Sequence, residues 1–181
     1  MTPFVALQRL ASPSVVCIGA HSDDIEIGCA GTLMELADAW PQARFHCWVF
    51  SAATGRAAET HACLARLVGA ERLELQVFGF RDGFFPADWQ AIKETMRTLS
   101  GSVDPAVVFT HGTADRHQDH RTLAELTWNH FRRHPILEYE IVKSDSELGR
   151  PTLYVPISSA TLERKTAALL DCFESQRSKP W

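Results

Sequence analysis

Two polar clusters in this 181-residue chain contain the residue types that bind metal ions. The first is the run His21-Ser22-Asp23-Asp24. The second spans residues 111–120 and contains three histidines and two aspartates. Zinc accepts neutral imidazole and carboxylate ligands, and a catalytic zinc site has three protein ligands and a fourth position open to water. Together the two clusters predict a catalytic metal site.

Each cluster directly follows an apolar run that is typical of a buried strand. Because functional groups in an open parallel sheet gather at the carboxyl ends of strands, we expect both clusters at one edge of the sheet. His117 and His120 are three residues apart, so a helix that starts at His120 would direct both toward one small volume. A helix N-cap in a solvated loop explains one aspartate of the first cluster, but not two beside a histidine.

The elements that position these clusters follow from the hydrophobic pattern. Short apolar runs alternate with amphipathic stretches of helix length, which is typical of βαβ units on a parallel sheet. Strands are predicted at residues 15–20, 45–50, 73–78 and 106–111, and two more at 138–142 and 153–156, separated by a turn-like stretch at 144–150. Helices are predicted to open near Gly28 and to cover residues 30–39, 57–68, 89–99, 121–131 and 160–173.

The length and composition of the chain limit its class and its partners. With 181 residues, 45% of them hydrophobic, the chain can bury one core, and we expect a single domain over residues 1–181. A net charge of -4 argues against nucleic acid or anionic lipid as a partner and favours a small polar ligand. The first residues do not resemble a signal peptide, and no run approaches the roughly 20 apolar residues of a membrane span, so we expect a cytoplasmic protein.

Other sites that glycine, cysteine or serine could form are disfavoured. The five cysteines are odd in number and form no C-x-x-C pair, which argues against a disulfide framework and a cysteine zinc site. Gly28-Cys29-Ala30-Gly31 is not the G-x-G-x-x-G fingerprint of dinucleotide sites, and the chain has no Walker A motif. It also lacks the G-x-S-x-G elbow that a serine hydrolase of the α/β type would need.

The two clusters resemble the signatures of the PIG-L/LmbE-like family of zinc-dependent N-deacetylases. The A-H-P-D-D signature of that family corresponds to residues 20–24, with Ser22 in place of proline, and its H-x-D-H signature corresponds to residues 117–120. A family pattern of R-x-x-E before a helix that ends in L-G is similar to Arg56 and Glu59 followed by residues 67–69. The resemblance extends from about Val15 to Gln176.

The resemblance implies a fold and a role for each site residue. The fold would be α/β, a Rossmann-like three-layer sandwich with a mostly parallel sheet. The implied roles are zinc binding by His21, Asp24 and His120, general base for Asp23, electrophile or acid for His117, orientation of a neighbouring imidazole for Asp119, substrate contact for Arg56, and a sugar hydroxyl contact for Asp82.

The activity implied by the resemblance is removal of the N-acetyl group from an N-acetylglucosamine-type amino sugar or its conjugate. Zinc, or another divalent metal such as Fe²⁺, would polarise the acetyl carbonyl and lower the pKa of a water from about 15.7 toward about 7. Asp23 would take the proton of that water, protonated His117 would stabilise the oxyanion, and either residue would protonate the amine.

Two departures from the family pattern leave alternatives open. Ser22 lacks the proline ring that fixes φ. The chain ends soon after Gln176, where longer members continue, and we therefore expect part of the substrate wall to be either missing or supplied by another subunit of a homo-oligomer. A metal-dependent amidase or esterase on a non-sugar substrate, and a non-catalytic binding protein with the same fold, are the alternatives. The substrate itself is not determined by the sequence.

Overall fold

A computed structural model describes residues 13–142 and 149–178 of the chain. Its five strands pair in parallel in the order β3-β2-β1-β4-β5. The strands are β1 (Ser14–His21), β2 (Arg44–Ser51), β3 (Leu73–Val77), β4 (Val107–His111) and β5 (Ile136–Tyr139). The predicted α/β fold with a parallel sheet is confirmed.

Helices cover both faces of the sheet and complete three layers. The helices are α1 (Asp24–Gly28), α2 (Ala30–Ala39), α3 (Arg56–Val68), α4 (Trp89–Ser100), α5 (Gln118–His130) and α6 (Ser159–Cys172). Helices α2, α3 and α6 pack together on one face, and α4 and α5 pack together on the other. Neighbouring β1 residues serve different cores, since Val15 lies in the first and Val16 in the second. Because both faces are buried, β1 is a continuous apolar run rather than an alternating one.

The predicted strand at residues 153–156 is wrong. That segment is irregular, and Tyr154 is 77% exposed, so the pattern that suggested a strand does not bury its side chains. Pro156 also has no N–H to donate to a neighbouring strand. The strand predicted at 138–142 begins two residues earlier and ends at Tyr139. Of the predicted turn at 144–150, residues 144–148 lie outside the described residues.

Helix α5 starts earlier than predicted, and this changes how its histidines are placed. The helix begins at Gln118, and His117 is the N-cap residue, whose Nδ1 accepts a hydrogen bond from the backbone N–H of Asp119 at 3.3 Å. His120 therefore lies within the first turn of the helix instead of starting it. His117 and His120 still face one volume, with ring centroids 4.5 Å apart.

The strand order creates a crevice at the carboxyl edge of the sheet. The chain proceeds from β1 through β2 to β3 on one side, then crosses to place β4 on the other side of β1. Crevices at such a reversal of strand order are the usual ligand sites of open α/β sheets. Both polar clusters follow the two strands that flank it. Within the described part of the chain, no helix is long and apolar enough to cross a membrane.

Candidate metal centre and cleft

Three side chains at the crevice bring one potential ligand atom each to a common point. His21 Nδ1 lies 3.4 Å from Asp24 Oδ2, His120 Nε2 lies 3.5 Å from the same oxygen, and the two nitrogens are 3.3 Å apart. Asp24 and His120 are buried, while His21 is partly exposed. The three residues predicted to bind the metal are thus brought together by β1, α1 and α5.

The dimensions of this triangle fit a zinc ion. Zinc in proteins is tetrahedral with ligands at about 2.0 to 2.1 Å, and the edges of such a tetrahedron are about 3.3 to 3.4 Å long. The three atoms therefore match one face of a tetrahedron, and the fourth corner is left for water or substrate. Two imidazoles and one carboxylate are also a donor set that zinc accepts.

Each histidine of the triangle is oriented by a carboxylate on its other ring nitrogen. Asp115 Oδ2 lies 2.8 Å from His120 Nδ1, and Asp119 Oδ2 lies 3.3 Å from His21 Nε2. Such carboxylate–histidine pairs fix the tautomer and the direction of a metal-binding ring. Asp119 was expected to orient an imidazole and is placed against His21. Asp115 was in the second cluster but received no role, because its contact depends on the loop path between β4 and α5.

Asp119 is itself held from the loop that follows β3. Its carboxylate accepts backbone N–H groups of Gly83 at 2.6 Å and Phe85 at 3.1 Å. Asp82 of the same loop is 73% exposed, and its Oδ1 lies 3.0 Å from His21 Nε2. The loop after β3 therefore joins the two clusters, which the sequence did not indicate.

Electrostatics differ sharply among the groups of the centre. Burial alone would lower the pKa of His21, but the carboxylates of Asp24, Asp82 and Asp119 outweigh it and raise the pKa to about 9. Burial alone would raise the pKa of Asp24, but its three histidine neighbours hold it well below the usual value. His111 is fully buried, and burial lowers its pKa to about 4, so it is neutral at physiological pH.

Asp23 adopts an unusual backbone conformation beside this centre. Its φ of 100° makes it the one non-glycine residue with a positive φ among those the structure describes. Strained residues of this kind cluster at functional sites. Arg56 Nη2 donates to Asp23 Oδ2 at 2.5 Å and to the carbonyl of Ser22 at 2.5 Å, so the first residue of α3 holds the turn between β1 and α1. Ser22 is fully buried in that turn.

A cleft of about 440 Å³ opens next to the triangle. The residues that line it are His21, Asp23, Ser51, Ala52, Ala53, Arg56, Phe80, Asp82 and His117. Four of the five predicted catalytic and substrate-binding residues line this cleft. The fifth, Asp119, lies behind His21. His117 is partly buried, and burial together with the positive charges of His120 and His21 lowers its pKa.

Comparison with known sequences identifies a family for most of the chain. The sequence profile of PIG-L, described as GlcNAc-PI de-N-acetylase, matches residues 16–131. That range contains all eight predicted site residues. No curated protein matches this sequence.

Solved structures share the fold at low sequence identity. A conserved protein from Thermus thermophilus is 25% identical over 87% of this chain and 77% of its own, with a TM-score of 0.62. The N,N'-diacetylchitobiose deacetylase from Pyrococcus horikoshii is 21% identical over 87% and 68%, with a TM-score of 0.58. A deacetylase of teicoplanin biosynthesis is 15% identical over 90% and 84%, with a TM-score of 0.72.

The same fold also occurs with another activity. The 4-carboxy-2-hydroxymuconate hydratase from Pseudomonas putida is 16% identical over 91% of this chain and 80% of its own, with a TM-score of 0.65. Likeness at this level reports the fold, so the reaction has to be argued from the side chains of the site.

Proposed function

The chain belongs to the PIG-L family, that of the GlcNAc-PI de-N-acetylases, and from this we propose that it is a metal-dependent N-deacetylase of an acetylated amino sugar or its conjugate. The observation that carries the proposal is the triangle of His21, Asp24 and His120, whose edges of 3.3 to 3.5 Å suit a zinc ion. Among the fold neighbours, the N,N'-diacetylchitobiose deacetylase supports a sugar-type substrate, and the deacetylase of teicoplanin biosynthesis supports deacetylation.

The proposed ligands are those three residues, and zinc or another divalent ion such as Fe²⁺ fits their donor atoms. When bound, the ion polarises the acetyl carbonyl and makes a water acidic enough to attack it near neutral pH. Asp115 and Asp119 orient the imidazoles of His120 and His21 by contacting the ring nitrogen of each that is not in the ligand triangle.

Asp23 is the proposed general base. It neighbours the ligand Asp24, lines the cleft, and is not a member of the ligand triangle. Its positive φ and its bond to Arg56 hold the carboxylate at the cleft wall, where it can accept the proton of the attacking water. Arg56 thus has a positioning role in addition to its proposed contact with substrate.

His117 is the proposed donor to the oxyanion that forms from the acetyl carbonyl. Because its Nδ1 accepts the N–H of Asp119, the ring proton of the neutral imidazole is on Nε2, and the ring lines the cleft. A single donor of this kind contributes about 3 to 4 kcal/mol to the stabilisation of an oxyanion. Either Asp23, which returns the proton it has accepted, or His117 then protonates the departing amine.

Substitutions at Asp23 and at the ligands test these roles. Asp23→Ala should keep its metal and lose about 10² to 10⁴-fold in turnover, the size of a general-base contribution. His21→Ala and His120→Ala should lose the metal and the activity together. Metal content by elemental analysis and free amine released from N-acetylglucosamine, its glycosides and N,N'-diacetylchitobiose are the measurements.

Asp104→Asn is the matched control, because that carboxylate is fully exposed and remote from the cleft. It should keep both metal and turnover. If Asp23→Ala loses the metal and Asp24→Ala keeps it, the two roles are reversed. If the metal-loaded protein hydrolyses only acetate esters or acetylated amines without a sugar, the sugar specificity is wrong, and if it hydrolyses none of them, the enzyme proposal fails.

A further inference from the structure

We propose that His111 and Tyr139, two buried residues at the ends of β4 and β5, form a positioning pair that replaces the missing backbone contact between β1 and β4 and thereby fixes the metal ligands. The inference rests on the proposed metal centre. It concerns residues that lie behind that centre, on the side away from the cleft.

The backbone pairing of β1 with β4 ends before the crevice. The last paired residues are Cys17 and Phe109. The C=O of Ser14 accepts a hydrogen bond from the N–H of Ala106. The backbone N–H and C=O groups of the even-numbered residues of β1 therefore face β4. The C=O of Ile18 and the N–H of Ala20 therefore face the same side beyond the last backbone partner.

Two side chains take the place of the strand there. The Tyr139 hydroxyl donates to the C=O of Ile18 at 2.7 Å, and the N–H of Ala20 donates to His111 Nε2 at 2.9 Å. His111 and Tyr139 are direct partners in the β4–β5 register, and both are buried. The strands can thus separate to form the crevice without leaving these two backbone groups unsatisfied, which would cost about 1 to 3 kcal/mol each.

From this position His111 contacts two of the ligand residues and the residue that precedes the third. The backbone group that it binds belongs to Ala20, the residue directly before His21. Its ring stacks on that of His120 with centroids 3.9 Å apart and an angle of 12° between the planes. Its Nε2 lies 3.3 Å from Asp24 Oδ2. One imidazole therefore links the backbone that carries one ligand with the ring of another.

Two substitutions of His111 separate its hydrogen bond from its ring. His111→Gln keeps an acceptor near the position of Nε2 and loses the stacked ring, whereas His111→Phe keeps a ring and loses the acceptor. If the hydrogen bond to Ala20 fixes the ligands, His111→Phe should bind Zn²⁺ about 10 to 100-fold more weakly than the wild type, the usual loss for a group that orients ligands. His111→Gln should stay within about threefold of the wild type.

Affinity is measured on metal-free protein by competition with a chromophoric chelator, alongside the midpoint of urea unfolding. Thr110→Val is the matched control: it removes a buried hydrogen bond to Thr127 from the adjacent position of β4 without touching the centre. It should lower stability and leave zinc affinity unchanged. Equal loss of affinity in Thr110→Val and His111→Phe would attribute the effect to general loosening of β4 and overturn the inference.

Tyr139→Phe provides a second test if His111→Phe does not fold. It removes only the hydroxyl bound to Ile18 and should weaken zinc binding severalfold. Unchanged affinity in every folded variant of the pair overturns the inference, as does equal weakening in His111→Gln and His111→Phe. Failure of the wild type to bind Zn²⁺ would instead refute the metal centre itself, so the two failures are distinguishable.

Discussion

His21 is the residue at which the proposed metal ion and a proton compete for one side chain. Its Nδ1 belongs to the ligand triangle, while its Nε2 faces Asp82 and Asp119. The surrounding carboxylates raise its pKa to about 9, so the imidazole is protonated at neutral pH when no metal is bound. A metal ion must displace that proton, because only the neutral ring can bind it.

The number of protons released for each metal ion bound should therefore follow the fraction of His21 that is protonated before binding. Below pH 9 the ring is protonated, so at pH 7 about one proton should leave for each ion bound, and the apparent affinity should rise about tenfold per pH unit and level off above pH 9. Calorimetry of Zn²⁺ binding in buffers of different ionisation enthalpy measures the proton count directly.

His134→Ala is the control for this measurement, since His134 also contacts an aspartate, Asp104, at 3.0 Å but lies away from the centre. It should release the same number of protons as the wild type. Equal zinc affinity at pH 6 and pH 8 would contradict the role of the His21 proton.

At the scale of elements, the short helix α1 depends on close contact with β5. Gly28 ends this helix, and the ring of Tyr139 occupies the space that a side chain at position 28 would need. Since α1 also carries Asp24, this contact links the position of a ligand to the edge strand of the sheet. The two glycines in residues 28–31 thus serve packing, as Gly31 does against Ile157.

Gly28→Ala should destabilise the protein by about 1 to 3 kcal/mol, the usual cost of forcing an extra methyl group into a packed interior. A Cβ at this position would lie 2.7 Å from Tyr139 Cε2 and overlap the ring. The midpoint of urea unfolding, measured on the metal-free protein, reports the change.

Gly101→Ala is the matched substitution, because Gly101 has φ -74° and an added Cβ would make only ordinary van der Waals contacts, the nearest at 3.4 Å from the carbonyl oxygen of Arg97. It should be neutral or stabilising by about 0.4 to 1 kcal/mol. Unfolding of Gly28→Ala at the wild-type urea concentration would show that Tyr139 moves aside without cost.

At the scale of the whole molecule, the centre joins parts of the chain that are distant in sequence. His21 and His120 are 99 residues apart, yet their ring nitrogens lie 3.3 Å from one another. The ligands come from β1, α1 and α5, which also contribute to the two hydrophobic cores on opposite faces of the sheet. A bound ion therefore ties the central strand to a helix of the outer layer.

Zinc should consequently stabilise the folded protein against global unfolding. At a free concentration one hundred times its dissociation constant, a ligand specific to the folded state adds about 2.7 kcal/mol, which corresponds to a rise in Tm of about 5 to 10 °C for a chain of this length. Thermal unfolding followed by circular dichroism, with Zn²⁺ and after addition of EDTA, measures the shift. The Tm of His120→Ala should not change on addition of Zn²⁺. A wild-type Tm that is the same with and without Zn²⁺ would refute the metal centre.

Much of the architecture could be predicted from the sequence because burial leaves a local pattern. The strands at residues 15–20 and 45–50 lie within β1 and β2, and the helix at 30–39 coincides with α2. Placement of the two polar clusters at one edge followed from the strands that precede them. The strand at 153–156 failed for the same reason, since a local apolar pattern does not show whether a neighbouring strand is there to pair with it.

The sequence by itself determined the fold class, the edge of the sheet that holds the site, and the residue types available for a metal. Only the tertiary structure decided that Asp115 supports His120, that Asp119 supports His21, that Arg56 holds Asp23, and that His111 stacks on His120. The spacing of residues along the chain determines which side chains lie on the same face of a helix or strand. Contacts between elements depend on strand order and loop paths, which bring together residues that have no relation in sequence.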